Sequence, residues 1–488
     1  MSTGLPTVLM DLRPCYEGFA GIPQETRLLF SMFARMGLPR FGGLASGMHY
    51  TSRHRIETDP FEVTLAQTKA LIAQDTQRHH WPILLKLLPN FVRRRLFKPW
   101  LVLSEALRAE RLDLRLDPER FEDYLWMKLF DNTLPPTDRA LLSRAEYFVA
   151  ELGHEYARSL SLMPRIAQRR VQSQGWDVFF ASSVSPYRVA PGTAQMIRYY
   201  DALPLLSPHT IGAPWLHALS HARMMQRNIE EGANFYCDSE PVRQDVLALF
   251  PKAEARVHTI PVTVSSELYP DVRSADQLRT ILMRRRNKVS SARHKDPAAV
   301  LPRLFLAVST LEPRKNYLKL FQAFDLARTM TATPIQLVVV ANTGWRSDLE
   351  LAELKRLVSE GVFHLSGVLA TELRVLYSMA HAVVAPSRAE GFDYSGAEAM
   401  ACGTPVIASD IPVHRWVYGD AATYFDPYSS EALATIMATQ ADLPRDSGPL
   451  AEYSAAGLRE ARRYHPDTLS PVWERAIEAV ATVRTKTR

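Results

Sequence analysis

Short apolar runs, each closed by polar or glycine residues and followed by a segment of helical period, recur along much of the chain. Pro6 to Asp11 predicts a buried strand, with Gly18 and Gly21 in the loop behind it and a helical pattern from Glu25 onward. Asp177–Ala181, Ala194–Asp201 and Ala233–Ser239 predict further buried parallel strands. Ser239 then caps a helix with a proline in its first turn. Beyond residue 300 the alternation is regular. Strands are expected at Phe305–Ser309, Ile335–Val340, Val362–Ser366, Ala382–Ala385 and Pro405–Ser409. Helices are expected at Tyr317–Met330, Asp348–Glu360, Thr371–Ala380 and Gly396–Ala401. Strands alternating with helices at this spacing predict doubly wound parallel sheets. The fold class is therefore α/β, with two Rossmann-like domains over about 1–270 and 300–465.

Between those regular stretches the pattern changes. Residues 40–175 read as a mostly helical insert, with Phe61–Gln77, Thr137–Leu160 and Pro164–Gln174 as its helices. Residues 271–299 read as a basic linker, because Asp276–Asp296 carries seven Lys/Arg against two Asp. Residues 466–488 read as a last helix with Trp473 and Ile477 on one apolar face.

Composition narrows the class. A chain of 488 residues is long enough for two or three domains. Hydrophobic residues at 47% and charged residues at 23% exclude a disordered or fibrous protein. No apolar stretch approaches the roughly 18–20 residues that span a bilayer, and the N-terminus lacks a basic-then-apolar signal pattern. Cys15, Cys237 and Cys402 lie far apart, so no disulfide framework or zinc cluster is expected and a reducing cytoplasm fits. The net charge of +6 admits anionic partners without choosing among them. The interleaved aromatic and basic pattern of nucleic-acid modules is missing, so no nucleic-acid partner is expected.

Ligands of open parallel sheets sit beyond the carboxyl ends of the strands. The most informative segment there runs from Pro386 to Asp410. Glu390 and Glu398 lie eight residues apart, with Gly391, Phe392, Asp393, Tyr394 and Ser395 between them. A glycine allows close backbone approach, and the following helix N-terminus offers free amides to a diphosphate. Glu398 has a second reading, since Ser395-Gly-Ala-Glu398 also spells a capping box. Arg314 and Lys315, directly after a strand, could clamp a pyrophosphate or could form a solvated basic loop.

Together the Glu-x7-Glu segment, Thr310-Leu-Glu-Pro-Arg-Lys-Asn316 and Ala399-Met-Ala-Cys-Gly-Thr-Pro-Val-Ile-Ala-Ser-Asp410 resemble family 4 glycosyltransferases. The likeness is strong over about 300–430, weaker at 5–30 and 190–265, and faint over 40–175. It implies the GT-B fold, with the two domains facing across a cleft and the last helix returning to the N-terminal domain. It also implies a retaining transfer from a nucleotide-diphosphate sugar. Glu390 then corresponds to the glutamate at the donor sugar, Glu398 to the one at the ribose, and Arg314 and Lys315 to the diphosphate site. Ser366 and Gly367 fall where main-chain groups meet the base. Gly18 and Gly21 resemble the glycine loop that reaches donor phosphates or acceptor, or are an ordinary strand-to-helix turn.

Asp201 resembles the family's acceptor-side aspartate, with a strand-end cap as its other reading. The chain departs from the family at Thr310, where an arginine is usual, and at Tyr200, where a histidine is usual. Asp393 adds a carboxylate beside the donor sugar, and with Ser409-Asp-Ile-Pro-Val-His-Arg415 resembles bacterial O-antigen and polysaccharide mannosyltransferases. GDP-mannose is the expected donor, and a glycan or lipid-linked glycan the expected acceptor, in lipopolysaccharide or other polysaccharide biosynthesis. No Asp-x-Asp motif is present and no metal is expected.

Arg78–Lys98 holds six Lys/Arg and no acid around an apolar run. It suits either a peripheral contact with the inner membrane face or a packed insert. A different class, a basic scaffold or membrane-surface adaptor with an inherited transferase fold, is set against the enzyme by the joint presence of Glu390, Glu398 and Lys315.

Overall fold

The computed structural model describes residues 5–16, 18, 21–46, 59–75, 114–150, 153–162, 170–210, 214–286 and 302–485. Two sheets organise them. The first comprises β1 (Val8–Asp11), β2 (Phe41–Ala45), β3 (Leu114–Leu116), β4 (Glu146–Val149), β5 (Val178–Ala181), β6 (Ala194–Tyr199), β7 (Asn234–Cys237) and β8 (Val257–Thr259). Its order is β3-β4-β2-β1-β5-β6-β7-β8, parallel throughout except that β3 runs against β4. The second comprises β9 (Arg303–Val308), β10 (Ile335–Val340), β11 (Phe363–Leu365), β12 (Ala382–Ala385), β13 (Val406–Ser409) and β14 (Ala422–Phe425). Its order is β11-β10-β9-β12-β13-β14, wholly parallel. Helices cover both faces, which is why Val8–Met10, Leu304–Ala307 and Val383–Ala385 are continuous buried runs rather than alternating ones.

The final helix, Pro466–Thr485, closes the first domain. Its Trp473 is fully buried and meets the rings of Phe33, Phe180 and Tyr236 at 6.0, 5.5 and 5.4 Å. Burying an indole on that sheet stabilises the return by a few kcal/mol, on the order of 2–3.

Three sequence expectations change. The described residues of 40–175 are more helix than strand, but they also supply β2, β3 and β4 to the first sheet, so the stretch is part of that sheet and not only a helical insert. The Pro60–Asp75 helix is present. Thr137–Leu160 instead divides into a 3-10 turn at Pro136–Arg144, β4, and a helix at His154–Leu160. Four residues of β4 are too few to show a period, and their pairing with β2 overrides the helical pattern on either side. Phe41-Gly-Gly-Leu-Ala, at the start of the same stretch, is the strand β2. A Cβ at Gly42 would lie 2.7 Å from the Trp176 ring, and one at Gly43 2.3 Å from Leu12, so the glycines admit close packing inside a strand. Of the helix expected at Pro164–Gln174, residues 164–169 lie outside the described residues and Val171–Ser173 are not helical.

The basic linker is also corrected. Ala275–Arg285 is a helix, started by a capping box between Ser274 and Gln277. Leu278 and Leu282, one turn apart, bury in the core of the second domain with Val262, Val264 and Leu304. Arg284 is exposed while Arg285 pairs with Glu372 at 2.6 Å, and this basic run hid the two leucines. The second domain therefore begins well before residue 300. Among the described residues no helix is long and apolar enough to cross a membrane; Arg78–Lys98 lies outside them.

Candidate functional site

The chain after β9 turns through Pro313–Lys315 into Asn316, which takes the left-handed conformation at φ 60°. Asn316 suits that geometry, and its Nδ2 donates to the carbonyls of Pro386 and Pro427 at 3.0 and 2.8 Å. The Arg388 amide donates to the Arg314 carbonyl at 2.8 Å. These bonds zip the loop after β9 to the loop after β12. They bring Arg314 Nη1 to 2.6 Å from Glu390 Oε2 and Lys315 Nζ to 2.6 Å from Oε1. Arg314 Nε also donates to Glu312 at 2.9 Å. Glu390 is only 8% exposed. Burial alone would raise its pKa, yet the two cations hold it below the usual carboxylate range. The basic segment is therefore not a solvated loop.

Asp393 caps the helix Tyr394–Ala401, its Oδ1 accepting from the Ser395 amide at 3.0 Å and the Ser395 hydroxyl at 2.7 Å. This overturns the capping-box reading of Glu398, since Ser395 already lies inside the helix. Glu398 instead accepts from Tyr377 Oη at 2.9 Å and, across the domain boundary, from Gln24 Nε2 at 2.7 Å. Burial pushes its pKa up to about 6.

Gly391 sits on the seam between the domains. A Cβ there would lie 1.7 Å from the Tyr200 carbonyl oxygen, and its own carbonyl accepts from Ser239 Oγ at 2.7 Å. Asp201 is thus brought to the site, near Arg314 and Glu390. It accepts from the Leu203 amide at 3.0 Å, so it also caps the strand end. Burial raises its pKa, against the pull of Arg314.

Other sequence candidates are placed elsewhere. Phe392 packs its ring into the second domain's core against Tyr394, Trp416 and Tyr464. The Tyr394 hydroxyl is buried near Glu25, Tyr200 and Arg198 of the first domain. Tyr200 does not offer its hydroxyl to the cleft, because that atom is buried beside the same Glu25–Arg198 pair. Ser366 follows the edge strand β11, separated from β12 by β10 and β9, and its amide donates to the Arg285 carbonyl at 3.0 Å. Gly367 follows with φ 61°. Gly18, at φ 54°, gives its carbonyl to Arg27 at 3.0 Å, and Gly21, at φ 69°, starts the helix that carries Gln24 and Glu25.

Four residues received no role of their own from the sequence. Arg198 and Glu25 form a fully buried pair at 2.6 Å, and Arg198 also donates to the Ile260 carbonyl at 2.5 Å. An arginine inside the apolar run of β6 was the available signal. Gln24 left none. His414 is fully buried with its Nε2 3.4 Å from Asp393 Oδ2. Among the described residues no group of three or more His, Cys, Asp or Glu side chains is arranged to hold a metal ion.

Two parallel-sheet domains joined at their carboxyl edges, with the last helix returning to the first, define the GT-B architecture. Sucrose-phosphate synthase of Thermosynechococcus elongatus shares it at a TM-score of 0.57, with 16% identity over 98% of this chain and 100% of that one. Residues 291–446 match the family described as glycosyl transferases group 1. O-antigen chain mannosyltransferase B of Escherichia coli is 27% identical over 268 residues, covering 51% of this chain and 63% of the relative. O-antigen chain mannosyltransferase RfbU of Salmonella typhimurium is 33% identical over 141 residues, covering 29% and 39%. The matches thus span 63% and 39% of the length of these relatives. The protein has the GT-B fold, matches the group 1 glycosyl transferases over residues 291–446, and resembles O-antigen mannosyltransferases.

Proposed function

We propose that the protein is a retaining glycosyltransferase that moves mannose from GDP-mannose to a glycan or lipid-linked glycan acceptor in cell-surface polysaccharide synthesis. The observation that carries the reading is Glu390: an ionised carboxylate, buried between Arg314 and Lys315, at the seam where both sheets end. A developing oxocarbenium centre would gain most from a negative charge held in a dry site. An ammonium has three N–H donors, so Lys315 can hold Glu390 and still reach a phosphate oxygen. In the proposed step the bond from the anomeric carbon to phosphate breaks, and its electron pair leaves on the nucleoside diphosphate. The acceptor hydroxyl attacks from the same face and gives its proton to the departing phosphate oxygen. Lys315, Arg314 and the amides at the start of the Tyr394–Ala401 helix take up the charge, without a metal ion. Glu398 is assigned to the ribose and Asp201 to the acceptor side. The choice of mannose is supported by the likeness to the O-antigen mannosyltransferases of Escherichia coli and Salmonella typhimurium. The proposed location is the cytoplasm, with peripheral contact at the inner membrane face.

The test is incubation of the purified protein, with and without EDTA, with radiolabelled GDP-mannose, UDP-glucose and other donors, and a lipid-linked glycan acceptor. Transfer from GDP-mannose, unaffected by EDTA and yielding an α-linkage by NMR, is expected. Transfer from another donor alone would sink the mannose assignment. An inverted product, or loss of transfer with EDTA, would sink the mechanism.

A further inference from the structure

Asp393 and His414 were both noticed in the sequence as parts of one variant pattern, and the fold brings them face to face beneath the proposed donor site. Asp393 spends Oδ1 on the helix cap. Its Oδ2 faces His414 Nε2 at 3.4 Å, and both residues are buried. The protonation of His414 follows from its other nitrogen. Nδ1 lies 2.9 Å from the Ser409 carbonyl oxygen, which can only accept, and 3.0 Å from Ser409 Oγ. That hydroxyl gives its one proton to the Ser387 carbonyl, so it too accepts from the imidazole. Nδ1 therefore carries a proton.

A neutral ring would then turn the bare lone pair of Nε2 toward a buried carboxylate oxygen 3.4 Å away, two acceptors opposed. A second proton on Nε2 turns that opposition into an ion pair. The groups around the ring favour it. Asp393 faces it from the neighbouring helix, and Tyr418, on its own helix, lies 5.4 Å away between ring centroids. Tyr424 donates to the His414 carbonyl at 3.3 Å. The Glu240–Leu249 helix packs on the same segment, but its Glu240 is engaged by Arg243, Gln244 and Thr259, and its Asp245 lies toward Tyr199. Beyond Asp393 stand Lys315 and Glu390.

We propose that His414 is a positioning residue held as a buried imidazolium, whose charge cancels that of Asp393 and keeps the start of the Tyr394–Ala401 helix receptive to the donor's diphosphate. The proposal rests on the donor reading above. Without the imidazolium, the charge of Asp393 is left to Lys315 and the Ser395 hydrogen bonds alone, at the place where the diphosphate charge must settle. In agreement, burial would raise the Asp393 pKa, but His414 first and Lys315 after it hold it far below the ordinary range.

The test has two arms. In protein labelled with ¹⁵N-histidine, the signals lost in His414→Gln should show both ring nitrogens protonated at pH 7.5; one unprotonated nitrogen would overturn the proposal. By calorimetry, His414→Gln should weaken GDP roughly tenfold or more while guanosine, which has no diphosphate, binds as before. Asn caps helices as well as Asp, so Asp393→Asn combined with His414→Gln removes both charges and should recover most of the GDP affinity. A double variant as weak as the single one, or equal losses for GDP and guanosine, would mean a merely structural role. If the unaltered protein bound neither ligand, the donor reading would fall, and the nitrogen spectrum would still decide the charge of His414.

Discussion

The two sheets present their carboxyl edges to the same seam but build them in opposite ways. On the second sheet the polar groups come from two short stretches, Glu312–Asn316 after β9 and Glu390–Glu398 after β12, and they bond chiefly to one another. On the first sheet they come one at a time from distant places. Gln24 and Glu25 sit on the first helix, Arg198 and Asp201 at and beyond the end of β6, and Ser239 beyond β7. A site concentrated in sequence reads as a motif; one assembled by tertiary contact does not. The second edge holds a charge ready for chemistry, and the first holds the second in place.

The largest effect should come from breaking the charge cluster on the second edge. Glu390→Gln keeps the shape and removes the negative charge between Arg314 and Lys315. Loss of a preorganised electrostatic group costs roughly a hundred- to a thousandfold in turnover. The transfer rate should fall by that factor while the folded protein persists by circular dichroism. A rate within threefold of the original would remove Glu390 from the reaction. An adaptor would lose nothing by this change.

The counterpart on the first edge is the Glu25–Arg198 pair, with both side chains 0% exposed. Removing one member of a buried pair strands the other, at a cost of about 3–5 kcal/mol. Arg198→Met should lower the urea midpoint accordingly, and Glu25→Gln added to it should recover much of the loss. If the single variant were as stable as the parent, the pair would not be what fixes the end of β6. A further substitution tests the seam itself. With 1.7 Å between a Cβ at Gly391 and the Tyr200 carbonyl, Gly391→Ala must shift backbone against backbone. Transfer should drop by tenfold or more, at a stability cost of roughly 1–3 kcal/mol. Limited proteolysis should cut faster between the domains, and an unchanged pattern would show that the contact is dispensable.

How much was legible follows from the same contrast. Parallel strands in the second sheet stood out because both faces are covered, which makes each a plain apolar run. Glu390, Arg314 and Lys315 were legible as a set, although their mutual pairing was not: adjacent cations reveal charge, not the carboxylate they will meet 75 residues later. The three strands within 40–175 were lost because β2 carries two glycines and β3 and β4 span only three and four residues. The Ala275–Arg285 helix was missed although its cap and its Leu278–Leu282 spacing were in plain view, since the surrounding arginines dominated the reading. Gln24 could not have been found at all, because nothing local distinguishes a glutamine that crosses to another domain.

The smallest effect concerns the residue where the two edges touch. Glu398 belongs to the second sheet but is bonded from the first by Gln24, and burial pushes its pKa from 4.5 up to about 6. The folded protein therefore binds this proton more tightly than the unfolded chain does. Between about pH 4.5 and 6 the folded state holds more protons, so this group's contribution falls as pH rises through that window and levels off above it. That raise corresponds to roughly 2 kcal/mol at pH 7. Glu398→Gln abolishes the titration and leaves an amide able to accept from Tyr377 or Gln24. Its urea-unfolding free energy should gain on the parent as pH goes from 4.5 to 7, by about that amount. At the same time its affinity for GDP should fall if the carboxylate holds the ribose. A parallel pH dependence in parent and variant would show that Gln24 and Tyr377 already repay the burial of the charge. The bond across the seam would then be a fully matched contact rather than one that waits for a ligand.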